Sequence, residues 1–270
     1  MTSIEPDTPA SPHLLVAREG PMARITFNKP DRLNAMSLDM WQGLSTTLEG
    51  LAADDDVRVV ILDGAGERAF VSGADISEFE TLRSTEEGVR AYNAVSEAAD
   101  TALHTFPKPT IAEIQGYCIG GGMELAISCD FRICSEDSRL GITAARLGLG
   151  YGYNGVQRLV DLAGQAVAAR VLYSADLFSA DQALRMGLVD DVVPRAHLAQ
   201  TVRERAERMA ANAPMTLRAA KAAIRAVMHK DNEPARAEVD RLVAGCFASE
   251  DYAEGRRAFA EKRKPQFKGR

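Results

Sequence analysis

Residues 57–62, Val-Arg-Val-Val-Ile-Leu, form a nearly unbroken β-branched run closed by Gly64 and Gly66. Such a run is the pattern of a strand buried on both faces, which belongs to a parallel sheet covered by helices. The neighbouring segments agree. A hairpin is expected at 13–17 and 22–27 around Glu19-Gly20-Pro21, with further strands at 110–114, 131–134 and 189–193. Between them apolar residues recur at three and four positions. Leu38, Trp41, Leu44, Leu48 and Leu51 follow a Ser37 cap, and a second helix over 86–106 is stopped by Pro107-Lys108-Pro109. Further helices are expected over 123–128, 156–162 and 165–173. Strands alternating with helices over 13–195 predict an α/β domain with parallel pairing.

Beyond 195 the texture changes. Segments 198–211, 215–228, 235–247 and 252–262 carry helical spacing, broken only by Asn212-Ala213-Pro214 and Asp231-Asn232-Glu233-Pro234. Their apolar stripes are narrow and rich in alanine, so the 196–270 region is expected to cover the α/β domain or a neighbouring subunit. Residues 1–12 hold two acids, no base and three prolines. They read as a disordered tail, without the basic start and apolar middle of a signal peptide. No uncharged apolar run approaches the ~20 residues of a membrane span. The 32 basic and 38 acidic side chains leave a net charge of −6 without a basic block, so neither nucleic acid nor an anionic membrane is expected as partner. A soluble, cytoplasmic protein with a small-molecule partner is the expectation. Cys118, Cys129, Cys134 and Cys246 read as reduced thiols, and the widely spaced histidines suggest no metal site.

The most informative stretch is 115–125, where Gly120-Gly121-Gly122 stands between a strand and a helix. Glycines let the backbone approach a ligand closely, and a helix start offers unpaired N–H groups that favour negative charge. Glu124 falls in the first helical turn among Met123, Leu125, Ala126 and Ile127. A carboxylate there either complements the helix dipole or acts as an acid/base in an apolar pocket, and this stretch leaves both open. A second segment, 68–79, joins a strand to a helix through Ser72-Gly73-Ala74-Asp75 and again exposes backbone amides. Two such loops, each at the C-terminal end of a strand, can aim two N–H groups at one oxygen, which is an oxyanion hole.

Five pieces occur in a fixed order: 28–35 (Asn-Lys-Pro-Asp-Arg-Leu-Asn-Ala), 69–76 (Ala-Phe-Val-Ser-Gly-Ala-Asp-Ile), 108–112 (Lys-Pro-Thr-Ile-Ala), 116–130, and 256–264 starting Arg-Arg-Ala-Phe. In these the chain resembles the enoyl-CoA hydratase/isomerase, or crotonase, family over residues 13–268. The resemblance implies a spiral of ββα repeats, a C-terminal helical region that builds homotrimers or dimers of trimers, and an acyl-CoA thioester substrate with no separate cofactor. It assigns the amides of Ala74 and Gly121 to the thioester oxygen and Glu124 to proton transfer. Arg32 and Leu33 would meet the coenzyme A portion, while Ser72, Asp75, Ile76, Ala144 and Tyr151 would border the substrate; Lys262-Arg263-Lys264 reads either as a contact for its phosphates or as a solvated charge run.

One position departs from the family pattern. Hydratases of the family carry a second glutamate where this chain has Ala144, and a methyl group cannot move a proton. Three outcomes stand side by side: a hydratase with Glu124 handling both protons of one water, an isomerase or decarboxylase with Tyr151, Tyr153 or Asn154 lining the pocket, and a non-catalytic acyl-CoA-binding scaffold. Gly150-Tyr151-Gly152-Tyr153-Asn154-Gly155 also fits G-x-G-x-x-G, a dinucleotide-binding pattern, but no buried strand leads directly into it.

Overall fold

The structure is a computed structural model that describes residues 11–228 and 233–270. The tail expected over 1–12 lies mostly outside the described residues. Ser11 is described, and its buried hydroxyl donates to Asp39 at 2.6 Å.

Strands β1 (Leu14–Glu19) and β2 (Met22–Phe27) pair antiparallel across Gly20-Pro21, with Gly20 at φ 59° where a two-residue hairpin turn needs a positive angle. After α1 (Leu38–Ala53) the chain makes three similar passes. Strands β3 (Val59–Gly64) and β4 (Ala69–Val71) lead to α2 (Phe79–Leu82) and α3 (Glu86–His104). Strands β5 (Thr110–Ile114) and β6 (Tyr117–Ile119) lead to α4 (Gly121–Ser128). Strands β7 (Phe131–Ser135) and β8 (Arg139–Gly141) lead to α5 (Tyr153–Ala163) and α6 (Gln165–Ser174). In every pass the first strand enters a large sheet ordered β1-β2-β3-β5-β7-β10, and the second a small sheet ordered β4-β6-β8-β9. Strand β9 (Phe178–Ser179), α7 (Ala180–Arg185) and β10 (Asp191–Val193) close the two sheets. Pairing is parallel except for β1 on β2 and β9 on β8. This is the spiral of ββα repeats that the resemblance implies.

The run at 57–62 behaves as its composition demands. Val60 and Leu62 face the main core with Phe27, Leu44 and Phe70, while Val59 and Ile61 face the opposite side. That side is covered by α8 (Leu198–Ala210), whose Leu198, Val202, Ala206 and Ala210 form one helical stripe at spacings of four. Helices α9 (Pro214–Met228), α10 (Glu233–Ala248) and α11 (Glu250–Ala260) complete the C-terminal region. They leave Phe247, Tyr252 and Phe259 exposed, the last at 87%. Cys118, Cys129 and Cys134 are buried free thiols, and Cys246 is half-buried and free. Among the described residues no helix is long and apolar enough to cross a membrane.

Helix α4 starts at Gly121, earlier than the expected 123. The glycines belong to the helix because its first turn lies directly on β4: a Cβ at Gly122 would stand 2.1 Å from the Val71 carbonyl oxygen. The last strand is correspondingly shorter than 189–193, since Leu188 and Val189 are buried ahead of β10 as packing residues. Gly122→Ala is expected to cost about 1–3 kcal/mol by overpacking. Gly50→Ala on α1, where a Cβ meets nothing within 4 Å, should be neutral or stabilising. Urea unfolding of both variants checks the contrast.

Candidate active site

Strands β4 and β6 are parallel neighbours, so the segments that leave them, Ser72 to Asp75 and Gly120-Gly121, emerge side by side. The first is fixed by the 29–36 segment. Leu33 and Asn34 both adopt left-handed backbone (φ 52° and 56°). Asn34 is fully buried; its amide donates to the carbonyls of Ala65 and Ala69, and its oxygen accepts from the Lys29 amide. The Ser72 amide then donates to Leu33, Met36 to the Gly73 carbonyl, and Asp75 to the Met36 carbonyl, at 2.8–3.1 Å. In extended backbone successive amides point to opposite sides, so the Ala74 amide, between two bonds to Met36, faces the other way.

It faces a cavity of about 320 Å³. The Gly121 amide begins α4 at the same wall, and a Cβ on Gly121 would lie 3.9 Å from the Ala74 nitrogen and 3.2 Å from the Trp41 ring. The two amides therefore border one small space. Among the described residues no carbonyl accepts from either of them.

Glu124, one turn into α4, lines the same cavity. Burial first, and then the negative charge of Glu97 on α3, push its carboxyl up to about 7. The Tyr151 hydroxyl is buried and lacks a hydrogen-bond partner among the described residues. Burial and the neighbouring Glu124 raise that phenol well above its usual range.

Ser72, Ala74, Ile76, Gly121, Glu124, Ala144 and Tyr151 all line the cavity. Arg32, Leu33 and Asp75 do not. Arg32 and Leu33 form the turn that anchors Ser72, and the Asp75 carboxylate turns away to the Lys29 ammonium at 2.6 Å and to Ser77. Of the basic C-terminal run, Arg263 is engaged by Glu254 and Glu261. The glycines at 150–155 follow a 3-10 turn, Ala144–Leu147, and β8 ends well before them, so the strand-turn-helix context of a dinucleotide site is lacking.

Two wall groups were not anticipated. Glu97 projects from the α3 face that carries Asn93, Ser96 and Asp100, and Arg83 lies 4.5 Å from the Phe79 ring centre and 5.0 Å from that of Tyr92. The three- and four-residue spacing of 93, 96, 97 and 100 was the available signal.

The enoyl-CoA hydratase/isomerase family model matches residues 17–270. The chain belongs to the enoyl-CoA hydratase/isomerase family. Among similar curated proteins, the short-chain-enoyl-CoA hydratase of Clostridium acetobutylicum is 38% identical, covering 96% of this chain and 98% of that one. The crotonyl-CoA hydratase of Syntrophomonas wolfei is 34% identical, over 94% and 97%. An enoyl-CoA hydratase/carnithine racemase from Magnetospirillum magneticum superposes with a TM-score of 0.91 at 37% identity, covering 96% and 97% of the two chains. The enoyl-CoA hydratase of Bacillus anthracis does so with a TM-score of 0.90 at 35% identity, covering 96% and 100%.

In this family member the Lys29–Asp75 pair holds the loop that carries the Ala74 amide. Burial alone would raise the Asp75 carboxyl, but Lys29 and Ser77 outweigh it and bring it from 3.8 to about 2. A carboxylate lowered in the folded state stabilises above its unfolded value and loses that contribution as pH falls through the folded one. Asp75→Asn is therefore expected to cost about 1.5–3 kcal/mol at pH 7. The gap to the parent protein should close between pH 4 and about 2, as read from urea unfolding at each pH.

Proposed function

We propose that the protein hydrates the double bond of 2-enoyl-CoA thioesters. The observation that carries this reading is a pair of amides, Ala74 and Gly121, that border one cavity without a protein acceptor and have Glu124 in the same wall. The thioester oxygen takes both amide hydrogens. Water then adds to C3 while a water proton passes to carboxylate, and the electron pair moves through C2 onto that oxygen. The enolate collapses as C2 takes a proton, and a 3-hydroxyacyl thioester results. Each preorganised donor to such an oxyanion contributes about 3–4 kcal/mol to the transition state.

Relatives named as hydratases, at 34–38% identity over nearly the whole chain, support hydration over isomerisation or decarboxylation. The exposed turn at Arg32 and Leu33 is the proposed contact for the coenzyme A portion, and no separate cofactor enters the reaction. The exposed aromatic residues of α10 and α11 are proposed to be covered by further copies of the chain, as a trimer or a dimer of trimers. Sedimentation should then give three or six copies, with Phe259→Glu shifting the protein toward monomer.

The decisive assay offers crotonyl-CoA, a 3-enoyl-CoA and methylmalonyl-CoA to the purified protein and identifies products by mass. 3-Hydroxybutyryl-CoA from crotonyl-CoA is the expected product. Glu124→Gln should lower its formation roughly 10²–10⁴-fold. A conjugated product from the 3-enoyl thioester, or propionyl-CoA from methylmalonyl-CoA, without hydration would replace this reading.

A further inference from the structure

We propose that Glu97 on α3 is the second carboxylate of the water-handling pair, taking the proton of the attacking water while Glu124 delivers its own to C2. The inference rests on the hydratase reading above and assigns to Glu97 the work that the family pattern gives to the residue at Ala144.

The α3–α4 crossing brings the two carboxylates together. Asp100 on α3 accepts from the Ser128 hydroxyl on α4 at 2.5 Å, deep in the interface. One turn earlier on each helix, three residues back from Asp100 and four back from Ser128, stand Glu97 and Glu124. Positions three and four apart share a helix face, so the second pair faces across the same crossing, nearer the cavity. Both groups line that cavity.

The two acids of α3 meet different fates. Asp100 is neutralised by Arg158 of α5, which also bonds the hydroxyls of Ser128 and Thr101. Glu97 forms no hydrogen bond or salt bridge among the described residues and is open to the cavity, although the charge of Arg158 acts on it from beneath. The start of α5 comes close to both carboxyls. A Cβ at Gly152 would lie 3.5 Å from a Glu97 carboxyl oxygen, and one at Gly155 would lie 3.1 Å from a Glu124 carboxyl oxygen. Gly152 caps α5 and Gly155 lies in its first turn. Both carboxyls thus approach the positive end of one helix dipole, which favours a single negative charge on the pair. The unpartnered Tyr151 hydroxyl sits against Glu124, where a water or hydroxyl group would complete its bonding.

Two carboxyls that share a site do not ionise together. Glu124, raised to about 7 by burial and by Glu97, carries a proton in a substantial fraction of molecules at neutral pH; in that form it is the acid, and the solvent-facing Glu97 takes the role of base. The protons balance. Water gives H⁺ to the Glu97 carboxylate and its oxygen to C3, and the carboxylic acid of Glu124 gives H⁺ to C2. A proton passing from Glu97 to Glu124 restores the pair. Dehydration runs the same steps in reverse.

The test measures kcat/KM on crotonyl-CoA against pH for the parent protein, Glu97→Gln, Glu124→Gln and Glu97→Gln/Ala144→Glu. The parent should lose activity above about pH 7 as the shared proton is lost. Glu97→Gln removes a base and a negative neighbour. Its kcat/KM should fall roughly 10²–10⁴-fold, and the alkaline limb should move to lower pH because Glu124 ionises more easily. The double variant, with a carboxylate restored across the cavity, should recover at least about tenfold over Glu97→Gln, within the range of one acid/base group. Glutamine is isosteric on an open helix face, and an unchanged melting temperature separates the loss from unfolding. Parent-like turnover and an unmoved limb in Glu97→Gln, beside an inactive Glu124→Gln, would overturn the pair and leave the hydratase reading intact. Absence of hydration in the parent protein would remove that reading itself.

Discussion

Strands β4 and β6 lie side by side and run the same way, and α4 packs on β4 so closely that no side chain fits at Gly122. Everything at the site follows from this contact. It sets the start of α4 beside the loop after β4, so the amides of Ala74 and Gly121 open onto one space, and it fixes Glu124 one turn further along the same helix. The large sheet is the frame that keeps this small three-residue pairing in register. Its β3 is covered on one side by the main core and on the other by α8. An oxyanion hole works through preorganisation, because donors already aimed at the developing charge need no reorientation in the transition state. Rigid flanking sheets supply that condition.

The electrostatic arrangement is layered along the α3–α4 crossing. At its deep end a buried acid meets a buried cation: Asp100 and Arg158 neutralise each other beneath the helices. Toward the cavity Glu124 has no such cation, and Arg158 acts on Glu97 only at longer range, so burial and the charge of Glu97 raise the Glu124 carboxyl. A buried carboxylate without a partner is costly. The fold can hold one here because burial and Glu97 raise the carboxyl to about 7, so that its neutral form is readily reached. The same burial that would destabilise an ordinary core site suits Glu124 to the proton-donor role proposed for it near neutral pH.

Much of this was legible in residue order. The β-branched run at 57–62, the strand–helix alternation up to residue 195 and the helical spacing after it all correspond to observed elements. The Gly-Gly-Gly and Ser-Gly-Ala-Asp segments mark the two amide-bearing turns. Strands β4, β6 and β8 have three residues each and β9 two, too short for any period to show, and they are strands only because a neighbour pairs with them. Asp75 carried a binding expectation because it sits in the motif, yet its side chain serves Lys29 inside the loop. The spacing of 93, 96, 97 and 100 put Glu97 on one face of α3 but did not say which element that face meets, and α3 also carries Glu86 and Glu87. Only the crossing at Asp100 and Ser128 settles that orientation.

The same crossing gives a physical reason for alanine at 144. The 3-10 turn that bears Ala144 and the helix face that bears Glu97 border one cavity of about 320 Å³, with Glu124 in its wall. Three carboxylates in so small a volume would repel one another, and at most one negative charge sits comfortably beside the first turn of α5. A site that takes its second carboxylate from α3 is therefore better served by a small apolar group at 144 than by another acid. If the proposed pair operates, the methyl group would leave room for water beside it, and the Tyr151 hydroxyl, buried without a partner among the described residues, could hold that water. On the proposed reading, an acid on the α3 wall and a methyl group at 144 are two sides of one arrangement for holding the proton, and the Ala74 and Gly121 amides stay where the β4–β6 pairing puts them.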